Sequence, residues 1–72
     1  MEYTEAHIEI LLELSDIKGL SNKQLTEILG RRKTNLSRAL GELEEQGIIF
    51  KGEPRKSIEG KKYTEIPYYL AF

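Results

Sequence analysis

Four basic side chains stand near the front of one segment, and acidic side chains follow them. The segment reads RRKTNLSRALGELEEQGII, with bases at Arg31, Arg32, Lys33 and Arg38 and acids at Glu42, Glu44 and Glu45. A helix dipole favours the opposite order, with acids at the N-terminus. Arginine and lysine bind phosphates, and arginine and asparagine also pair with guanine and adenine through two hydrogen bonds. Something other than helix stability therefore favours these basic residues at the front of the segment, and an anionic partner is one such reason.

A second basic group follows in a segment rich in glycine and proline. Its members are Lys51, Arg55, Lys56, Lys61 and Lys62. Residues 1–30 hold six acids and two bases (−4), whereas residues 31–62 hold nine bases and five acids (+4), within a total of −1. Because the field at a surface depends on where charge lies, the asymmetry favours nucleic acid despite the total. Two alternatives stay open: mixed charge that only solvates a small protein, and lysines that protect an edge hairpin from aggregation.

The apolar spacing predicts which elements carry these charges. A helical period, two capping signals and a later period of two predict three helices and two strands. Their bounds are about 4–18, 22–29 and 33–46 for the helices, and about 48–52 and 62–71 for the strands of a β-hairpin. The order predicts an α+β fold in one domain that covers residues 1–72, with a three-helix core followed by the hairpin.

Single residues carry further expectations. Gly19 is expected to end the first helix, and Gly41, inside the third, to mark close helix packing. Pro67 has no N–H group, so the last strand is expected to be an edge strand or to be bulged there. His7 is expected on the surface of the first helix.

Two short helices joined at Gly30 are typical of a helix-turn-helix unit, whose second helix enters the major groove N-terminus first. In that arrangement the acids at residues 42–45 point away from DNA. The residues expected to contact phosphates are Arg31, Arg32 and Lys33. The face opposite Leu36 and Leu40 is expected to contact base edges, through Thr34, Asn35, Ser37 and Arg38.

Other candidates flank this helix. Ser21 and Lys23, at the start of the preceding helix, are candidates for a phosphate contact, and plain capping is the alternative for Ser21. For Arg38 the alternative is an ion pair with Glu42 at i+4. On the hairpin we expect backbone or minor-groove contacts from Arg55, Lys56, Lys61 and Lys62.

Composition argues against an enzyme. A chain of 72 residues with one histidine and no cysteine has no nucleophile–base pair, no thiolate metal site and no phosphate-binding glycine loop. No catalytic residue, metal or cofactor is expected. The N-terminus lacks the pattern of a secretory signal and no apolar run is long enough to span a membrane, so we expect a cytoplasmic protein without a membrane partner.

The segment LSNKQLTEILGRRKTNLSRALGELEEQGII resembles winged helix-turn-helix transcriptional regulators of the MarR/ArsR-like kind, the small prokaryotic type in particular. The matching positions are Leu29-Gly30, Ser37-Arg38, Leu40, Leu43, Gly47, Ile48 and Ile49. The resemblance covers about residues 8–52, and the hairpin matches only in its basic character. It implies a winged helix and a sequence-specific regulator of double-stranded DNA, with repression as the expected mode. Arg32 departs from the family, which often has Ser or Thr as the cap of the recognition helix.

The first helix carries more apolar residues than one core face needs, so we expect a homodimer formed through it and a terminus. A dimer on a palindromic DNA site would also combine the DNA contacts of its two subunits. The alternative function is a winged-helix module that holds a protein partner within a larger complex.

Overall fold

The chain folds as three helices and short antiparallel strands in a computed structural model that describes residues 2–56 and 64–72. The helices are α1 (Glu5–Asp16), α2 (Asn22–Leu29) and α3 (Lys33–Glu45). The described strands are β1 (Leu20–Ser21), β2 (Ile49–Lys51), β3 (Arg55–Lys56), β4 (Thr64–Glu65) and β5 (Pro67–Leu70). We call the paired strands β3 and β4 the wing.

One apolar core joins the helices to the strands. Leu36, Leu40 and Leu43 of α3 are fully buried, and Ile10 of α1 and Leu25 of α2 meet them there. The three leucines lie at i, i+4 and i+7, so they share one face of α3. Because burial of each leucine contributes about 1.5–3 kcal/mol, this face fixes how α3 is rotated.

Strand β5 is the centre of a three-stranded sheet with the order β1-β5-β2, and β3 pairs with β4 in a separate two-stranded sheet. The expectation that the last strand is an edge strand is therefore wrong. Pro67 is tolerated because it is the first residue of β5, and its carbonyl accepts the Gly52 N–H at 2.8 Å. The predicted strand 62–71 is interrupted at Ile66, and β1 was not predicted.

Helix α1 ends earlier than its apolar spacing predicts. It stops at Asp16, because Ile17 is extended (φ −124°, ψ 121°). Gly19 does not end the helix but lies in the turn that follows, at φ +76°, with Tyr69 packed against it. A glycine in the left-handed conformation does end the next helix, α2. That residue is Gly30 (φ 66°), whose N–H donates to the Thr26 carbonyl at 2.9 Å.

Two glycines differ in the space around them. A Cβ atom added at Gly41 would meet nothing within 4 Å, so the expectation of close helix packing there is wrong. A Cβ atom at Gly52 would lie 2.4 Å from the Tyr69 ring. Packing against Tyr69 thus requires glycine at position 52. At position 41 no neighbour requires glycine, and this residue only lowers the stability of α3.

We therefore predict opposite effects for two alanine substitutions. Gly41→Ala stabilises the fold by about 0.5–1 kcal/mol, because alanine loses less backbone entropy in a helix. Gly52→Ala destabilises it by about 1–3 kcal/mol, because the Tyr69 ring must move. Urea unfolding of both variants measures these effects, and a destabilising Gly41→Ala would contradict the open surroundings of that residue.

Candidate nucleic-acid interface

The first two turns of α3 present their polar residues to solvent. Since Leu36 and Leu40 point into the core, the opposite face is free, and the structure leaves it exposed. The exposed residues are Arg32, Lys33, Thr34, Asn35, Ser37 and Arg38. These include all four residues predicted to contact base edges and two of the three predicted to contact phosphates.

The helix starts differ in how their free N–H groups are satisfied. Helices α1 and α2 each begin with a complete capping box, formed by Thr4 with His7 and by Ser21 with Gln24. Helix α3 begins at Lys33, and its N-cap residue, Arg32, makes no side-chain capping hydrogen bond. Its first-turn N–H groups and the adjacent cations are thus positioned for an anion, as at helix termini that bind phosphates.

A groove of about 260 Å³ joins the helix-turn-helix unit to the wing. Asn22 and Lys23 line it from the start of α2, Lys33 from the start of α3, and Thr64 and Glu65 from β4. The start of α3 and the base of the wing therefore border the same surface. Predicted wing-tip residues Lys61 and Lys62 lie outside the described residues.

Arg38 stays exposed, and among the described residues it forms no ion pair with Glu42, so the i+4 alternative is not found. With Asn35 it lines an open groove of about 420 Å³ between α1 and α3. Ser37 is partly engaged, because its hydroxyl accepts a hydrogen bond from the Asn22 amide at 2.6 Å.

Arg31, the third predicted phosphate contact, is bound within the chain instead. Its Nε donates to Glu9 of α1 at 2.6 Å, and its Nη2 lies 3.8 Å from a Glu5 oxygen. The hydrogen bond from Arg31 lowers the pKa of Glu9, and the same bond raises the pKa of Arg31. Arg31 has the residue type expected of a phosphate contact, but its guanidinium binds Glu9. Because Glu9 lies 22 positions earlier, the spacing of residues within one element does not reveal this contact.

His7 is buried rather than on the surface, so that expectation is wrong. Its Nδ1 accepts the Thr4 N–H at 2.9 Å, which leaves the ring hydrogen on Nε2, 2.9 Å from a Glu42 oxygen. Glu42 therefore links α3 to the start of α1. Sequence reasoning missed this role, although the Thr-x-x-His spacing could have revealed a capping box with histidine in the place of Glu or Gln.

The remaining basic residues divide between structural and exposed positions. Lys51 lies 3.7 Å from Glu44, and Arg55 donates to the Gly19 carbonyl and the Gln24 side chain. Ser21 is buried as the cap of α2, so capping, the alternative weighed for it, describes its contacts. On the described part of the wing, Lys56 is exposed.

Comparison with known proteins identifies the family. The family model of the MarR family matches residues 3–57. The chain belongs to the MarR family. No curated protein matches it at a significant level.

Solved structures show the same fold. Stf76 from the Sulfolobus islandicus plasmid-virus pSSVx is 22% identical, with a TM-score of 0.78 over 96% of this chain and 84% of that one. ZitR, a zinc-responsive MarR family member from Lactococcus lactis, is 20% identical, with a TM-score of 0.77 over 97% of this chain. The MarR family transcription regulator SP03579 is 29% identical, with a TM-score of 0.70 over 94% of this chain. The chain spans only 44% and 42% of the latter two.

These matches confirm the predicted α+β winged-helix fold and the resemblance to MarR-type regulators. Across residues 2–56 and 64–72, no three His, Cys, Asp or Glu side chains come together as a metal site. No helix in that part of this MarR family member is long and apolar enough to cross a membrane.

The Arg31–Glu9 contact gives a prediction on pH. Arg31→Ala should raise the pKa of Glu9 toward its ordinary value, because the main cause of its lowering is removed. A lowered pKa in the folded state stabilises the fold above the ordinary pKa, and that contribution disappears as pH falls through the folded value. The stability difference between wild type and Arg31→Ala should therefore shrink below about pH 4.

Carboxyl titration by NMR, together with urea unfolding from pH 3 to 7, measures both effects. Lys33→Ala is the matched control, since it removes a neighbouring cation that does not contact Glu9. An unchanged pKa of Glu9 in Arg31→Ala would contradict the contact.

Proposed function

We propose that this MarR family member binds double-stranded DNA with sequence specificity and represses transcription by occupying promoter DNA in the cytoplasm. In this proposal α3 lies in the major groove, N-terminus first, and the wing contacts the backbone or the minor groove. Repression follows from steric exclusion, because a protein that covers promoter DNA denies it to the polymerase.

The observation that carries the proposal is the exposed, uncapped start of α3. Its polar face is uncovered, while the leucines behind it are fully buried. A helix that served only the fold would gain about 1 kcal/mol from a Ser, Thr, Asn or Asp cap at the position of Arg32. A cation at that position is instead suited to a phosphate.

Roles are proposed by position on α3 and the wing. Arg32, Lys33 and Lys56 contact phosphates and contribute affinity without sequence preference. Asn35 and Arg38 project from the first two turns, where side chains of a recognition helix meet base edges. Lys23, Lys61 and Lys62 are proposed as further backbone contacts, and Thr34 and Ser37 as weaker base contacts.

Salt and substitution separate these roles. If about four phosphates are neutralised per protomer, log K against log salt has a slope of about −3.6. Arg38→Ala relaxes base preference at one position by about 1–3 kcal/mol, because a bidentate contact is lost. Lys56→Ala weakens all duplexes alike.

Selection of binding sites from random duplexes, followed by titrations over a range of salt, measures these effects. Lys18→Ala is the control, because Lys18 is an exposed lysine that borders a different groove, beside Leu14 and Phe72. A flat salt plot would exclude the electrostatic mechanism, and an unchanged selected site in Arg38→Ala would exclude its base contact.

A homodimer is proposed on a separate observation. Ile8 and Leu12 of α1 are 49% and 64% exposed, and Phe72 is 88% exposed. Together with Leu11 and Leu70 they line an almost wholly apolar groove of about 280 Å³. A second copy that presents the same surface would cover these side chains through a two-fold interface.

The expected mass in sedimentation at micromolar concentration is therefore twice the 8.3 kDa of one chain. Leu12→Glu should convert the dimer to monomer, because it places a charge in the apolar groove. Ile28→Glu is the matched control, since Ile28 is an exposed isoleucine (47%) on α2, outside this groove. A wild-type chain that sediments as a monomer would remove the dimer from the proposal.

The same apolar groove favours one alternative, a module that holds a protein partner within a larger complex. That function needs Ile8 and Leu12 but not Arg38. A chain that fails to select any duplex, while Leu12→Glu abolishes a stable association with another protein, would favour it.

A further inference from the structure

The wing is attached to the helix-turn-helix unit through the capping box of α2. Arg55 of β3 uses one nitrogen, Nη2, to donate to the Gly19 carbonyl at 2.5 Å and to the Gln24 side-chain oxygen at 2.8 Å. That same oxygen accepts the Ser21 N–H at 3.0 Å, which is one half of the capping box. One amide oxygen therefore serves both the start of α2 and the first wing strand.

The second wing strand reaches the same cap. The Ser21 hydroxyl donates to a Glu65 oxygen at 2.9 Å, and the same hydroxyl oxygen accepts the Gln24 N–H at 3.2 Å. Glu65 of β4 is 6% exposed and pairs in register with Arg55 across the wing. Both strands are thus hydrogen-bonded to the two residues that cap α2.

The contacts involve buried charge. Arg55 Nε and the second Glu65 oxygen are buried and have no partner among the described residues. Arg55 and Glu65 occupy paired positions of the antiparallel ladder, so their opposite charges lie on the same side of the wing. Loss of the Arg55 side chain would leave the buried Glu65 without a positive charge at the position that faces it across the ladder.

A wing of this size needs an external anchor. Its described strands are two residues each and form a sheet of their own. The wing joins the β2–β5 pair through residues 52–54 and Ile66, and two paired residues in each strand are too few to fix its angle to α3 by themselves. Arg55 and Glu65 provide three polar contacts from the described wing strands to Gln24 of α2 and to Gly19 and Ser21 just before that helix.

We propose that Arg55 is a positioning residue, whose bonds to Gly19 and Gln24 hold the wing at a fixed angle to the recognition helix. Its partner in this task is Glu65, bound to Ser21. This inference rests on the proposed DNA binding and gives Arg55 a task different from the DNA contact that its position on a basic wing suggested.

Hydrogen exchange of the free, full chain tests the anchor without DNA. In Arg55→Met the amides of Lys56, Thr64 and Glu65 should exchange about tenfold faster, while those of α1 and α3 stay unchanged, because only a local unit opens. Lys56→Met is the matched control: it removes the same charge from the adjacent residue of β3, whose side chain is exposed, and should leave exchange unchanged.

Coupling in DNA affinity tests the positioning. Lys56→Met should weaken binding about threefold to tenfold in the wild-type chain and have little effect in Arg55→Met, because a released wing no longer holds Lys56 at the duplex. Arg38→Ala should keep its full effect in Arg55→Met. Arg55→Lys keeps the positive charge at the position paired with Glu65. It should change the exchange rates and the effect of Lys56→Met in the same direction as Arg55→Met, but by a smaller amount.

Two exchange results would overturn the inference: wing amides that exchange at the wild-type rate in Arg55→Met, or exchange that rises equally in every element. So would one binding result, in which the effects of Lys56→Met and of Arg38→Ala on DNA affinity both become smaller in Arg55→Met. The last two would indicate a general loss of stability. A wild-type chain that binds no duplex while Arg55→Met still loosens the wing would instead refute the proposed function and leave the anchor in place.

Discussion

The burial of three leucines on one face of α3 is the constraint on which the rest of the structure depends. Leu36, Leu40 and Leu43 are fully buried against α1, α2 and the sheet, and replacement of any one by alanine would cost about 2–5 kcal/mol. That cost leaves α3 one orientation about its own axis. The polar residues between the leucines then face outward without any contact needed to hold them there.

The same division between fold and surface appears at the helix ends. The starts of α1 and α2 are each closed by a reciprocal capping box. The start of α3 has cations in place of a cap. Local rules of helix stability are thus obeyed where a helix serves the core and broken where it reaches the proposed interface, as is common at functional sites.

Local pattern was enough to predict the helices, the leucine face and the exposed residues of α3, because each depends on the spacing within one element. It was not enough for Arg31 and Arg55. Both have the residue type and the neighbours of a phosphate contact, yet their guanidinium groups meet Glu9 and Gln24, which lie 22 and 31 positions away.

Long-range packing explains the other differences. His7 looked like a surface residue because its partner Glu42 is 35 positions away. Strand β1 has two residues, too few to show a period, and forms only because β5 passes beside it. Pro67 then begins a central strand rather than an edge strand.

The contacts of Arg31 with Glu5 and Glu9 help to explain how a chain with a net charge of −1 could bind DNA. The acids of α1 nearest to the start of α3 are Glu5 and Glu9, and their charges would act against a phosphate bound there. Arg31 lies 3.8 Å from Glu5 and 2.6 Å from Glu9, well within the screening length of about 8 Å at physiological salt, so its single positive charge offsets one of their two negative charges. The negative charge that Glu5 and Glu9 place near Arg32 and Lys33 is therefore reduced. Arg31 thus favours the proposed interface through its contacts with Glu5 and Glu9, because they reduce a repulsion that would act against a phosphate bound there.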